Sequence, residues 1–173
     1  MSTLDRLREL IAAEGEPIAA AVLERAVPGN GPTPATIASA GPRAGAAPEE
    51  YELLVEAIYE GYLLHYGVPR IVSAADPDLA LLAGDRLYTL GLERLVALGD
   101  LEAVRELADV IALCSLLVGR GDRASCEPLW RAGARAVGWG PEEHYLLAKA
   151  LVREGHADAP AALAALDQRG SAA

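Results

Sequence analysis

Asp76-Pro77-Asp78-Leu79-Ala80-Leu81-Leu82-Ala83-Gly84-Asp85-Arg86-Leu87-Tyr88-Thr89-Leu90-Gly91-Leu92-Glu93-Arg94-Leu95-Val96-Ala97-Leu98-Gly99 is the stretch whose reading decides the fold class. An Asp before a proline, an acid in the first turn and a glycine at the far end are helix punctuation at both termini. The spacing predicts one helix over 77–98. Its polar residues Asp78, Asp85, Thr89 and Glu93 fall on one narrow stripe, and nearly everything else is apolar. A helix apolar around most of its circumference is expected at the centre of a fold, not at its edge.

The same grammar runs outward in both directions. Pro48-Glu49-Glu50 opens a helix predicted to end near Tyr66, before Gly67-Val68-Pro69, and Asp100 caps a helix to about Val118. Shorter helices are predicted over 127–137, 141–154 (Pro141 first, Gly155 after) and 160–168. At the front, Thr3 is a candidate cap for a helix carrying Leu4, Leu7, Leu10 and Ile11, and Pro17 opens a second helix to about Ala26. Between Val27 and Ala47 stand Pro28, Pro32, Pro34 and Pro42 with Gly29, Gly31, Gly41 and Gly45, a density that reads as a long loop. The organisation is therefore N-terminal helices over 1–26, a Pro/Gly-rich loop over 27–47, a helical core over 48–169 and a short tail over 170–173.

Composition agrees. The chain has 173 residues, 52% of them hydrophobic but only 5% aromatic, with no Phe. Ala and Leu favour helices, whereas sheets select β-branched and aromatic side chains. The expected fold is all-α, a single-domain helical bundle.

A net charge of −10 without a basic cluster argues against nucleic acid as a partner and against an anionic membrane surface. The N-terminus lacks the pattern of a signal peptide, and the longest strongly apolar run, Val110 to Val118, is too short to span a bilayer. The chain reads as soluble and cytoplasmic, with no transmembrane segment. Cys114 and Cys126 have no metal-ligand spacing, and Cys114 in an apolar run reads as an inert buried thiol. His65, His144 and His156 lie far apart, and none has a carboxylate at helical metal-site spacing.

Two stretches say more. Ala57-Ile58-Tyr59-Glu60-Gly61-Tyr62-Leu63-Leu64-His65-Tyr66-Gly67-Val68-Pro69-Arg70 precedes Leu81-Leu82-Ala83-Gly84-Asp85-Arg86-Leu87-Tyr88, and Leu98-Gly99-Asp100-Leu101-Glu102-Ala103-Val104 follows. Over roughly 50–118 this resembles consecutive helices of the trans-isoprenyl diphosphate synthases, the polyprenyl synthetases. In that family a Leu-Val-His-Asp-Asp-Leu-Pro type of helix end precedes a Leu-Ala-Gly-Asp helix. The resemblance implies a truncated isoprenoid synthase fold.

Aligning Leu64-His65 on the family lays its Asp-Asp-x-x-Asp motif over Tyr66-Gly67-Val68-Pro69-Arg70. Those carboxylates hold Mg²⁺ against the allylic diphosphate in the family, and Mg²⁺ demands hard oxygen ligands. Tyr66, Gly67 and Arg70 cannot supply them, and ionisation of a diphosphate needs its charge neutralised. The family's Arg-Arg-Gly-x-Pro-Thr loop, its second aspartate-rich helix and a clear Lys-Thr motif are missing, Lys149-Ala150 being the nearest echo of the last.

The resemblance thus implies a small non-catalytic subunit, regulatory or stabilising, of a heteromeric trans-polyprenyl diphosphate synthase, a kind of complex that in the family often makes the side chain of menaquinone. No activity alone, no catalytic residue and no cofactor of its own are expected, with Mg²⁺ entering only through a catalytic partner subunit. A homo-oligomer is the other arrangement the family's dimer implies. Interface candidates are Tyr62, Leu82, Tyr88, Leu92, Ile111 and Leu117; ligand-binding candidates are Arg70, His65 and Asp85. Each has a plainer role: Asp85 accepting from a neighbouring helix, His65 favouring a helix C-terminus, and the tyrosines half-buried. Gly84 and Gly91, on one face, are expected to permit tight helix packing. A stand-alone module binding an apolar isoprenoid-like ligand is the alternative, and an enzyme built on Asp76, Asp78, Asp85 or Glu93 is a third.

Overall fold

A computed structural model describes residues 1–27, 29 and 31–170, with side chains described to Leu166. Nine α-helices lie among the described residues: α1 (Thr3–Ala12), α2 (Ile18–Ala21), α3 (Pro34–Ser39), α4 (Pro48–Tyr66), α5 (Pro77–Ala97), α6 (Leu101–Gly119), α7 (Cys126–Trp139), α8 (Glu143–Glu154) and α9 (Ala159–Gly170). The fold is an all-α, single-domain helical bundle. No described helix is long and apolar enough to cross a membrane. The end of the expected tail, 171–173, lies outside the described residues.

Local chemistry accounts for most of the boundaries. The Asp76 carboxylate accepts from the backbone N–H of Asp78 and Leu79 at 3.1 and 3.2 Å, and Pro77 supplies a preset first position for α5. The Asp100 carboxylate caps α6 by accepting from Ala103 N–H at 3.0 Å. At α1 it is Ser2, not Thr3, whose hydroxyl accepts from Asp5 N–H. Gly155 closes α8 at φ +68°, a left-handed position that glycine adopts without a Cβ penalty.

Two expectations for the first third of the chain need correction. The helix expected from Pro17 to Ala26 stops at Ala21, because the following backbone bonds elsewhere. Leu23 N–H donates to Ile71 O and Val27 N–H to Arg70 O, each at 2.9 Å, and Val22 forms an isolated antiparallel bridge with Val72. The Pro/Gly-rich stretch over 27–47 is also not loop throughout, since it holds α3 and a 3₁₀ turn at Pro42–Ala44. The Thr33 hydroxyl caps α3 and Pro34 sits in its first turn. Ala35 and Ala38 are fully buried. Here α3 and the chain after it run against α7 almost backbone to backbone. A Cβ on Gly41 would stand 2.3 Å from Gly138 O, and one on Gly138 would stand 2.7 Å from Ala38 O.

Helix α4 is the shared wall of two apolar clusters. Leu54, Val55 and Ile58 face the cluster built around Trp130, Leu107, Leu113, Leu129 and Leu163. Leu53, Ala57 and Leu64 face the cluster of Leu7, Ile11, Ile71 and Leu87. Helix α5, expected at the centre, instead packs mainly on α4 and leaves Leu81, Leu82 and Val96 exposed. The α4–α5 approach is close because three glycines line it. A Cβ on Gly91 would lie 2.3 Å from Ile58 Cγ1, and one on Gly61 would lie 2.9 Å from Gly84 O.

Candidate functional site

The connection after α4 folds back on the helix it leaves, and this decides what Arg70 does. Glu56 and Glu60, one turn apart on α4, are 2% and 0% exposed. Arg70 Nε donates to Glu60 Oε2 at 3.0 Å, Arg70 Nη2 donates to Glu56 Oε1, and the backbone N–H groups of Arg70 and Ile71 donate to Glu60 Oε1. The Thr33 hydroxyl donates to Glu56 Oε2 at 3.0 Å, which ties α3 into the cluster. The Arg70 guanidinium also lies 5.2 Å over the Tyr59 ring, whose hydroxyl donates to Glu127 Oε2 at 2.7 Å.

Burial pushes the Glu60 carboxyl up, and the Arg70 charge and the two backbone donors pull against it. Burial likewise opposes the Arg70 charge, but Glu56 and Glu60 hold the guanidinium above its usual range. Every contact to Glu60 is a donor, so the ionised carboxylate is the form that the geometry satisfies. Arg70 is therefore an internal clamp, 7% exposed, with two carboxylates where a diphosphate would have to sit. Its assignment as a ligand-binding residue is corrected.

His65 and Asp85 do meet, but away from Arg70. His65 stands nine positions after Glu56, about half a turn around α4 at 100° per residue. Its ring stacks on Tyr88 at 5.2 Å with planes 8° apart, and Nε2 lies 3.1 Å from Asp85 Oδ1 without hydrogen-bond alignment. Gly84 makes room for the imidazole, since a Cβ there would stand 2.8 Å from Nε2. The Asp85 side chain is 72% exposed. The three ligand candidates thus form one half-buried pair, His65 with exposed Asp85, and one buried clamp at Arg70.

Of the six interface candidates, Tyr62 and Leu117 are core residues, and that assignment is corrected. Tyr62 packs against Tyr59 and Trp130 inside the bundle. Tyr88, Leu92 and Ile111 are partly buried against the core. Leu82 is half exposed, and it begins a strip that continues at helical spacing through Asp85, Thr89 and Leu92 to Val96. Leu98 and Leu101 extend it past the end of α5. Beside the strip, Arg86 donates twice to Glu14 at 2.8 Å and reaches Glu93 at 3.5 Å. Asp76 and Asp78, proposed for chemistry only as a third possibility, serve at the start of α5, Asp76 as its cap.

Sequence reasoning missed Glu56 and Glu60. Their only signal is a pair of acids at i, i+4 inside an otherwise apolar run. It also gave Lys149 little credit. Its ammonium is almost fully buried, donates to Glu106 and Asp109 at 2.9 and 2.8 Å, and lies 4.7 Å over the Tyr145 ring. That cluster joins α6 to α8.

The residues at the expected magnesium position do not fit the ion. Tyr66 ends α4 with its hydroxyl sharing a 3.1 Å hydrogen bond with Ser115, and Arg70 brings its own positive charge between the nearest buried carboxylates. Among the described residues no three His, Cys, Asp or Glu side chains converge as a metal site. Comparison of the chain with protein-family models, with curated proteins and with solved structures finds no match.

Proposed function

We propose that the chain is a non-catalytic subunit of a heteromeric trans-polyprenyl diphosphate synthase, stabilising or regulating a catalytic partner through the outer face of α5 and the start of α6. The observation that supports this reading best is the strip on that face. On the outer face of α5 Leu82 and Val96 are 50% and 53% exposed, and Leu98 and Leu101, in the turn into α6, are 45% and 56% exposed, while the opposite side of α5 is packed. Single exposed leucines need no explanation, but several apolar side chains left uncovered on one helix and at its end suit an interaction surface. The sequence likeness over roughly 50–118 names the class of partner, and Asp85 and Glu93 favour one that brings positive charge. A second copy of this acidic chain on the same strip would set like charges against each other.

An isoprenoid-binding module has less support. The cleft beside Arg70, lined by Thr33, Pro34, Tyr59, Leu63 and Glu127, holds about 220 Å³, and the one between Arg43, Glu106 and Pro141 about 210 Å³. Small-molecule pockets begin at roughly 300 Å³.

Co-expression with a full-length, aspartate-rich trans-polyprenyl diphosphate synthase from the same cell tests the proposal. The two chains are expected to co-elute, with a changed product length or activity in the partner. The double variant Leu82→Glu, Val96→Glu is expected to lose both effects while keeping its helical spectrum. Failure to co-elute, with products unchanged by an excess of this chain, would overturn the reading.

A further inference from the structure

Helices α8 and α9 form an outer layer of the bundle. Helix α8 packs on α6, α9 packs on α7, and the two pack on each other. The sides of both that face away from α6 and α7 are therefore one surface. On α8 it carries Leu146 and Leu147, which are 47% and 59% exposed. On α9 every exposed side chain over 160–165 is that of proline or alanine, without one polar group. A solvated helix face ordinarily carries charge, and among the described residues nothing covers this one.

The ends of the α8 face carry opposite charges. Glu143 stands in the first turn and Arg153 in the last, on the side that holds Leu146 and Ala150. Glu143 is exposed, and Arg153, its side chain 48% exposed, bonds to Asp109 through Nη2 alone. Where α8 runs antiparallel to a copy of itself with the midpoint near Ala148, each Glu143 meets Arg153 of the second copy and each Leu146 meets Ala150. The like-charged Glu142 and Glu154 lie one position further out, where crossing helices diverge. The α5 strip offers a second copy only acids, so the charge argument that disfavours a copy there favours one here.

We propose that the outer face of the α8–α9 hairpin is a contact between two copies of this chain, related by a two-fold axis that crosses both helices. Such an axis sets α8 against α8 and α9 against α9, each pair antiparallel, so one self-complementary surface serves both copies. The alanines of α9 allow the layers to approach closely. Each helix has twelve residues, and two helices of that length side by side present about 350 Å². A stable complex buries roughly 800 Å² per partner. The dimer is therefore weak and reversible, and it leaves the α5 strip free.

Sedimentation equilibrium of the native full-length chain tests this at physiological salt, over about 10 µM to 1 mM, the range of weak association. At that ionic strength the repulsion between two chains of charge −10 is screened beyond about 8 Å. The natural chain is expected to pass from monomer to dimer across the series. Leu146→Glu, Leu147→Glu should remain monomeric throughout with its helical spectrum intact. Glu143→Arg, which sets like charges against Arg153 of the second copy, should weaken dimerisation about tenfold. Leu82→Glu, Val96→Glu should dimerise as the natural chain does. A natural chain that stays monomeric up to about 1 mM would overturn the proposal, as would a dimer that survives the two glutamates on α8. So would a dimer that Glu143→Arg leaves unchanged or that the α5 variant abolishes.

Discussion

Helices α4 and α5 lie side by side and have opposite relations to the core. Helix α4 carries Glu49, Glu50, Glu52, Glu56 and Glu60, yet twelve of its nineteen residues are buried. Helix α5 is apolar around most of its girth, yet only seven of its twenty-one are. The acids of α4 are tolerated inside because a neighbouring segment brings Arg70 and backbone donors to them. Leu81, Leu82 and Val96 of α5 remain exposed because no described residue covers them. Apolar circumference measures how much surface an element could bury and leaves open which molecule buries it.

The largest effect should come from breaking the interior charges of α4. Arg70→Met removes the only cation among the described residues that is bonded to Glu56 and Glu60, leaving two carboxylates with almost no exposure. A loss of about 3–5 kcal/mol in urea unfolding is expected, the usual cost of stranding one side of a buried ion pair. The same change should loosen Val22 to Val27, whose backbone bonds end on Arg70 and Ile71, and show as faster amide exchange there. A loss under about 1 kcal/mol would put Arg70 among ordinary surface residues.

The next effect lies between the two helices. Gly91→Ala places a methyl against Ile58 Cγ1 and the Leu54 carbonyl oxygen. The clash should cost about 1–3 kcal/mol, partly offset by the better helix propensity of alanine. Gly99→Ala tests a different rule, since Gly99 has open space but sits at φ +79°.

Acid should act at the start and the middle of α6 rather than on α4. At Asp100, burial raises the carboxyl, but the Tyr51 hydroxyl, Ala103 N–H and Arg43 bring it below its ordinary value of 3.8. At Asp109, Arg153 and Lys149 outweigh burial in the same way. A carboxyl lowered in the folded state binds fewer protons there than in the unfolded chain. The stability it contributes is therefore present above 3.8 and lost as pH falls below it. The urea midpoint should drop more steeply between pH 4 and 3 in the natural chain than in Asp109→Asn, at constant ionic strength.

How much of this was legible in the sequence depended on whether the cause was local. Helix α4 over 48–66 and the caps at Asp76 and Asp100 follow from nearest neighbours, and both helices begin where expected. Helix α3 was hidden because Thr33-Pro34, a cap and a first-turn proline, stands among prolines and glycines that read as loop. The early end of α2 depends on a segment some fifty residues away, which no local pattern announces. Gly84 and Gly91 were read correctly as packing positions. Arg70 as a ligand candidate follows from its place over the family's aspartate-rich motif, and the one local sign of its true partners is a pair of acids, Glu56 and Glu60, four apart in an apolar run.

The smallest effect on stability belongs to the strip on α5, and it sharpens the contrast most. Leu82 is half exposed, so Leu82→Glu should change unfolding free energy by no more than about 0.5 kcal/mol, as surface substitutions commonly do. Leu87, fully buried five positions later on the same helix, should cost about 2–5 kcal/mol when changed to Ala. If α5 serves only this chain's own core, Leu82→Glu has no second consequence. If its outer face is a docking surface, the same silent substitution abolishes co-elution with the partner synthase, because a carboxylate buried there without a counter-charge opposes association. A variant that binds as the natural chain does, at unchanged stability, would remove the outer face of α5 as the docking surface and leave that helix, like α4, a wall of the bundle alone.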